Sequence, residues 1–155
     1  MRPDLFGAIV CQVPLLDMCR YHKLLAGASW MAEYGNPDTS DWADFLHKYS
    51  PYQNLKAETE YPPVLFTTST RDDRVHPGHA RKMVSPQAAP WLAVDRRCGE
   101  REALRQVKRL TEECPAAKEV LYYENVEGGH GGAADNKQRA YMSTLAYTFL
   151  QRSLG

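Results

Sequence analysis

Two short polar turns carry the residues best suited to chemistry. The first is Asp72-Asp73-Arg74-Val75-His76-Pro77-Gly78-His79, which combines two carboxylates, a guanidinium and two imidazoles. The second is Glu127-Gly128-Gly129-His130-Gly131-Gly132, a histidine set in a run of glycines. A histidine serves as general base when a carboxylate orients its ring and stabilises the imidazolium that forms. Asp72 and His130 could make such a pair, the acid and base of a Ser-His-Asp device, if the ends of their elements meet. They lie 58 residues apart, which leaves room for an intervening helix. Without further context an isolated Asp and an isolated His are more often a surface acid and a loop histidine. Asp73 reads as a turn carboxylate, and Arg74 could simply pair with Asp72 or Asp73. A metal set of Asp72, His76, His79 and His130 is the rival chemistry. His76 and His79 share a face if helical, but Pro77 lies between them and no further ligand is evident. The expectation is therefore no metal and no cofactor.

The elements that must position these turns are short apolar runs. Val64-Leu65-Phe66-Thr67-Thr68-Ser69, introduced by Pro62-Pro63, is rich in strand formers and leads into Asp72. Val120-Leu121-Tyr122-Tyr123 leads into the His130 loop in the same way. A third run over residues 8–13 also suits a buried strand and is stopped by Pro14. Strands that deliver charged turns at their carboxyl ends are how α/β folds build sites. Helices are expected between them. Asp38-Thr39-Ser40-Asp41 supplies N-cap residues ahead of Trp42, Phe45, Leu46 and Tyr49 at helical spacing. A helix starts near Pro77, residues 95–114 read as a solvated amphipathic helix, and a closing helix puts Tyr141, Leu145, Thr148 and Phe149 on one face. The alternation argues an α/β layer fold.

The chain has 155 residues, enough for a single domain with its own core. Its Lys+Arg and Asp+Glu counts are both 19, so nothing in the charge suggests nucleic acid or a membrane surface as partner. No apolar run approaches the ~20 residues that span a bilayer, and residues 1–6 lack the apolar core of a secretion signal. Cys11, Cys19, Cys98 and Cys114 show no metal-ligand spacing. The expectation is reduced thiols in a cytoplasmic protein.

Four segments carry a resemblance. They are Ala28-Ser29-Trp30-Met31-Ala32-Glu33-Tyr34-Gly35, Lys48-Tyr49-Ser50-Pro51-Tyr52, Asp72-Asp73-Arg74-Val75 and Glu127-Gly128-Gly129-His130-Gly131. In order and content they resemble the C-terminal catalytic region of the prolyl oligopeptidases, serine peptidases with an α/β-hydrolase domain and, in full-length members, a β-propeller. The resemblance covers residues 2–84 and 118–152. It implies a partial α/β-hydrolase fold, the C-terminal strands and helices of a mostly parallel sheet, with the nucleophile-bearing half missing. It implies that Asp72 is the triad acid and His130 the base. Arg74 is implied to hold a substrate carbonyl, Trp30 to stack on the substrate proline, and Tyr34 and Val75 to wall that pocket. A flat indole over a pyrrolidine ring is a physically sound contact. The implied substrate is a peptide cleaved after proline.

Two departures from the family pattern matter. The family's nucleophile sits in a Gly-x-Ser-x-Gly elbow shortly before the segment matching Arg2-Pro3-Asp4-Leu5-Phe6, and residues 1–155 contain no such elbow. The expectation is a chain that begins just after its nucleophile and is inactive alone. None of Ser29, Ser40, Ser50, Ser69, Ser85, Ser143 or Ser153 sits in a glycine-flanked strand-to-helix turn that could replace it. The second departure is residues 85–117, read as a divergent insertion or irregular segment. Without the neighbouring strand, the strand at residues 8–13 would present an open edge. Self-association through that edge is expected, and a non-enzymatic interaction module is the alternative function.

Overall fold

The computed structural model describes residues 2–56, 58–84 and 119–155. The helix expected over 95–114 and the divergent segment at 85–117 lie outside the described residues. Among the described residues three strands form one parallel sheet in the order β1-β2-β3, with β1 at Ile9–Gln12, β2 at Val64–Ser69 and β3 at Val120–Asn125. All six residues of β2 are buried, as expected of a central strand rich in β-branched and aromatic side chains. Ile9 and Val120 both face Val64 in register, so the strands start level and their carboxyl ends emerge at one edge. Beyond β1 the backbone turns at Val13 (φ 46°), a costly conformation for a β-branched residue. It is held there by the Val13 N–H, which donates to the Thr67 carbonyl at 2.8 Å.

Among the described residues four α-helices accompany the sheet: α1 at Met31–Tyr34, α2 at His47–Tyr49, α3 at Gly78–Val84 and α4 at Asn136–Leu154. Trp42–Leu46 forms a wide π-type turn running into α2. Asp41 does not cap it as expected: its backbone is already helical and its carboxylate accepts from the Asn36 N–H at 2.8 Å. One core cluster joins the sheet to α3 through Leu16, Tyr52, Val64, Phe66, Ala80 and Met83. A second gathers Met18, Tyr21 and Leu46, with Trp30, Tyr34 and Trp42 packed against them.

The closing helix begins at a true N-cap, where the Asp135 carboxylate accepts from the Gln138 N–H at 2.8 Å. Its inner face differs from the expected one. Met142 and Phe149 are buried, whereas Tyr141 is 55% exposed and Thr148 is also outward. One residue is 100° of helix, so choosing Tyr141 over Met142 rotates the apolar stripe. The unbranched Met142 reaches the loop at Gly132, while the Tyr141 ring tilts over Tyr123 at 5.6 Å. Cys11 is a free thiol, raised to about 11 by burial. Cys19 is disulfide-bonded, which departs from the expectation that the thiols are reduced. Among the described residues no helix is long and apolar enough to cross a membrane.

Candidate active site

Because β2 and β3 are parallel neighbours, the turns that follow them leave the sheet side by side. The turn after β2 closes on Asp72. Its Oδ1 accepts from the backbone N–H groups of Arg74 at 2.8 Å and Val75 at 2.9 Å. This is the local bonding that aspartate offers a turn, and here it fixes the carboxylate rather than leaving it to solvent. The Asp72 side chain is fully covered. The turn after β3 brings His130 over it, with Nδ1 at 3.1 Å from both Asp72 oxygens. A carboxylate only accepts, so this contact matches the Nδ1–H tautomer of the ring, which leaves Nε2 unprotonated. The His130 side chain is 36% exposed, which leaves the imidazole open to a reacting group.

Glycine is required at two points of the His130 loop. A Cβ on Gly128 would meet the Gly132 carbonyl oxygen at 2.5 Å. Gly132 itself adopts φ 80°.

The other singled-out residues fall into two groups. Val75 is buried and Arg74 exposed, both tied through their backbones to Asp72. Asp73 is exposed. Trp30 and Tyr34 are half-buried in the second core cluster, where the Tyr34 ring meets Tyr21 edge-on at 5.9 Å. An open hollow of about 270 Å³ lies beside Asp72, lined by Leu25, Thr70, His76, Pro77 and Arg81. The two histidines after Asp72 face other partners. His76 Nδ1 accepts from the Gly78 N–H at 2.9 Å, and His79 Nδ1 from the Asp17 N–H at 3.2 Å. Among the described residues no group of three or more His, Cys, Asp or Glu side chains is placed to hold a metal ion.

Two charge clusters that the sequence did not reveal brace this arrangement. Glu124, near the end of β3, accepts from Arg81 Nε of α3 at 2.9 Å and from the Thr70 hydroxyl at the end of β2 at 2.5 Å. The Tyr122 hydroxyl donates to it as well. Burial resists ionisation, but these donors prevail and bring the Glu124 carboxyl down to about 2. The cluster thereby pins the turn carrying Asp72 and helix α3 to strand β3. Behind it, Asp17 is buried against Lys82 of α3, and the Gln53 amide donates to its Oδ1 at 2.7 Å. Burial alone would raise the Asp17 carboxyl; the Lys82 ammonium and the hydrogen bonds hold it below its usual range. Burial is also the main cause that lowers His79 to about 4, so its ring is neutral near pH 7. Such pairs arise from tertiary placement between residues far apart in the chain, and no local spacing announces them. Of the serines, Ser69 is buried and donates to the Gly132 carbonyl at 3.2 Å, while Ser50 accepts from the Met18 N–H at 3.0 Å. Both are structural.

Comparison with known proteins agrees across sequence and structure. The sequence profile of the prolyl oligopeptidase family matches residues 1–86. An uncharacterised peptidase, y4nA, of Sinorhizobium fredii is 42% identical over 153 residues, covering 99% of this chain and 18% of that protein. A prolyl endopeptidase of Dictyostelium discoideum is 42% identical over 85 residues, 54% of this chain and 11% of its own length. The solved structure of a post-proline cleaving enzyme from Rickettsia typhi superposes with a TM-score of 0.74 at 33% identity, covering 99% of this chain and 18% of that one. The chain thus spans less than a fifth of the length of these relatives.

Proposed function

The chain belongs to the prolyl oligopeptidase family, and from that premise we propose that it supplies the acid, the base and the proline pocket of a serine peptidase cleaving peptides after proline. The carrying observation is the covered Asp72 carboxylate 3.1 Å from Nδ1 of a half-exposed His130. In this reading a serine hydroxyl attacks the carbonyl after proline. His130 Nε2 takes the hydroxyl proton, and Asp72 stabilises the imidazolium. The imidazolium then gives that proton to the departing amine, leaving an acyl-enzyme. Water, deprotonated by the same nitrogen, attacks the ester; the proton returns to the serine and the peptide acid leaves. Arg74 holds a substrate carbonyl, Trp30 stacks on the proline ring, and Tyr34 and Val75 form pocket walls. The nucleophile comes from a polypeptide portion carrying the Gly-x-Ser-x-Gly elbow, because residues 1–155 have none.

Fluorophosphonate labelling tests this. The chain alone is expected to take up no probe, since loss of the nucleophile costs about 10⁶ in turnover. Mixed with an N-terminal portion of a relative that carries the elbow, label is expected on that portion's serine. Stoichiometric labelling of any serine in residues 1–155 would contradict the proposal.

A second, non-enzymatic reading rests on a different observation. Among the described residues β1 pairs only with β2, so its other edge carries unpaired backbone groups. Over one face of the β1–β2 pair opens an apolar hollow of about 170 Å³, lined in part by Ile9, Cys11, Leu16, Val64 and Phe66. This favours a module that associates with its own copies through β1. Binding of the N-terminal portion without recovered labelling would support this reading over the first.

A further inference from the structure

The loop that carries His130 has little to hold it by composition. Four glycines lie between Val126 and Ala133, and each widens the range of backbone conformations available to the loop. Among the described residues its side-chain link to Asp72 is the imidazole. Something else must fix where the ring stands, and the hydrogen bonds converge on Asn125, the last residue of β3.

Asn125 is 4% exposed and uses its whole hydrogen-bonding capacity on this loop and its exit. Oδ1 accepts from the N–H groups of Glu127 at 3.0 Å and Gly128 at 3.2 Å, closing the loop's entry. Nδ2 donates to the Gly132 carbonyl at 2.8 Å, closing its exit, and to Gln138 Oε1 in the first turn of α4 at 2.8 Å. His130 lies between the two anchored points. The backbone carbonyl of Asn125 also accepts from the Thr70 N–H at 2.9 Å, on the strand that leads to Asp72. Ser69, the register partner of Asn125, donates to the same Gly132 carbonyl. One side chain thus references both ends of the His130 loop to the strand beside the acid.

We infer that Asn125 is the positioning residue that holds the His130 imidazole on Asp72, by clamping the entry and exit of the 126–132 loop with one amide. It touches neither substrate nor reacting atoms and acts through His130. The inference rests on the reading of His130 as the general base. No smaller residue reaches both ends, and the amide cannot be replaced by a carboxylate. Asn125→Asp keeps the shape and the Oδ1 acceptor but sets a second oxygen against two others, the Gly132 carbonyl and Gln138 Oε1. It therefore releases the exit while retaining the entry, whereas Asn125→Ala releases both.

The test reads the ring, not turnover, on the full chain labelled with ¹⁵N-histidine. In the unmodified protein His130 is expected to show the Nδ1–H tautomer, with a downfield Nδ1–H proton signal that Asp72→Asn removes. In Asn125→Ala and in Asn125→Asp, each checked for folding by the amide signals of β2 and α3, that signal is expected to be lost and the ring to match the Asp72→Asn spectrum. Either variant, folded and retaining the Asp72-dependent signal, overturns the inference and leaves the proposed function untouched. Absence of the signal from the unmodified protein overturns both. Failure of serine labelling with this signal intact counts against the peptidase reading alone.

Discussion

The Asp72 carboxyl group is removed from solvent, and its neighbours satisfy its oxygens there. Two backbone N–H groups and the His130 ring supply donors that replace water. Buried charge is retained when such donors are fixed in advance, and a fixed carboxylate fixes the tautomer of the ring it faces. If a mixture of this chain with an N-terminal portion bearing the elbow has the proposed activity, Asp72→Asn is expected to lower its kcat by roughly 10³- to 10⁴-fold, since it presents the wrong donor pattern to Nδ1. Hydrolysis of a proline-containing chromogenic peptide measures it, and a loss below about tenfold removes Asp72 from the role of acid. At this scale the sequence was legible where chemistry restricts residue type. An aspartate and a histidine in strand-end turns are recognisable because few residues do their work. Asn125 and Glu124 were not legible. An asparagine before a glycine-rich turn reads equally well as an ordinary turn former. A glutamate on a strand reads as solvent-facing until Arg81, Thr70 and Tyr122 are placed around it.

Between elements, the two braces make distinct predictions in acid. His79 sits between the Asp17 backbone, the Lys82 ammonium and His76, buried and lowered to about 4. The folded state favours its neutral form, so the unfolded chain binds a proton first as pH falls. Its stabilisation is present above the ordinary value near 6.5 and is lost between there and about 4, worth at most about 3 kcal/mol. His76 is lowered too, by burial and then by Arg81, and adds in the same direction. Glu124 acts lower: its depressed carboxyl stabilises the fold above 4.5 and ceases to do so as pH drops toward 2. Urea unfolding midpoints across pH 7 to 2 should show two steps. His79→Asn, which keeps an acceptor for the Asp17 N–H, should flatten the upper step, and Glu124→Gln the lower. A His79→Asn profile that parallels the parent through the upper window would refute the assignment. The strands themselves were legible, because apolar β-formers bounded by proline and ending in polar turns suit few other structures. The inner face of α4 was not, since choosing between adjacent Tyr141 and Met142 depends on the loop each must meet.

For the whole molecule, the three-stranded parallel sheet of the described residues is a small scaffold for a site built on its carboxyl edge. Parallel sheets ordinarily lie within larger layered folds, and this chain spans 18% of the relatives it matches along nearly all its length. Among the described residues the outer β1 edge is unpaired and an apolar hollow opens over the β1–β2 face. The isolated chain is expected to self-associate, with a mass in light scattering that rises with concentration. A Val10→Pro substitution, which removes a ladder donor and bends the strand, should reduce that rise. A constant monomer mass over a wide concentration range would contradict open-edge association. The class of fold was legible from the alternation of strands and helices. The pairing of Asp72 with His130 was named from their turns and from the family resemblance, whereas the strand order and direction that bring them together were not, because these depend on segments distant in sequence. The most direct test of the central claim is cleavage of a proline-containing chromogenic peptide by a mixture of this chain with a separately prepared N-terminal portion of a relative bearing Gly-x-Ser-x-Gly. The account predicts activity from the mixture, none from either part, and loss of that activity with His130→Ala in this chain. Cleavage undiminished by His130→Ala, or no cleavage from a mixture whose parts are shown to bind, would contradict it.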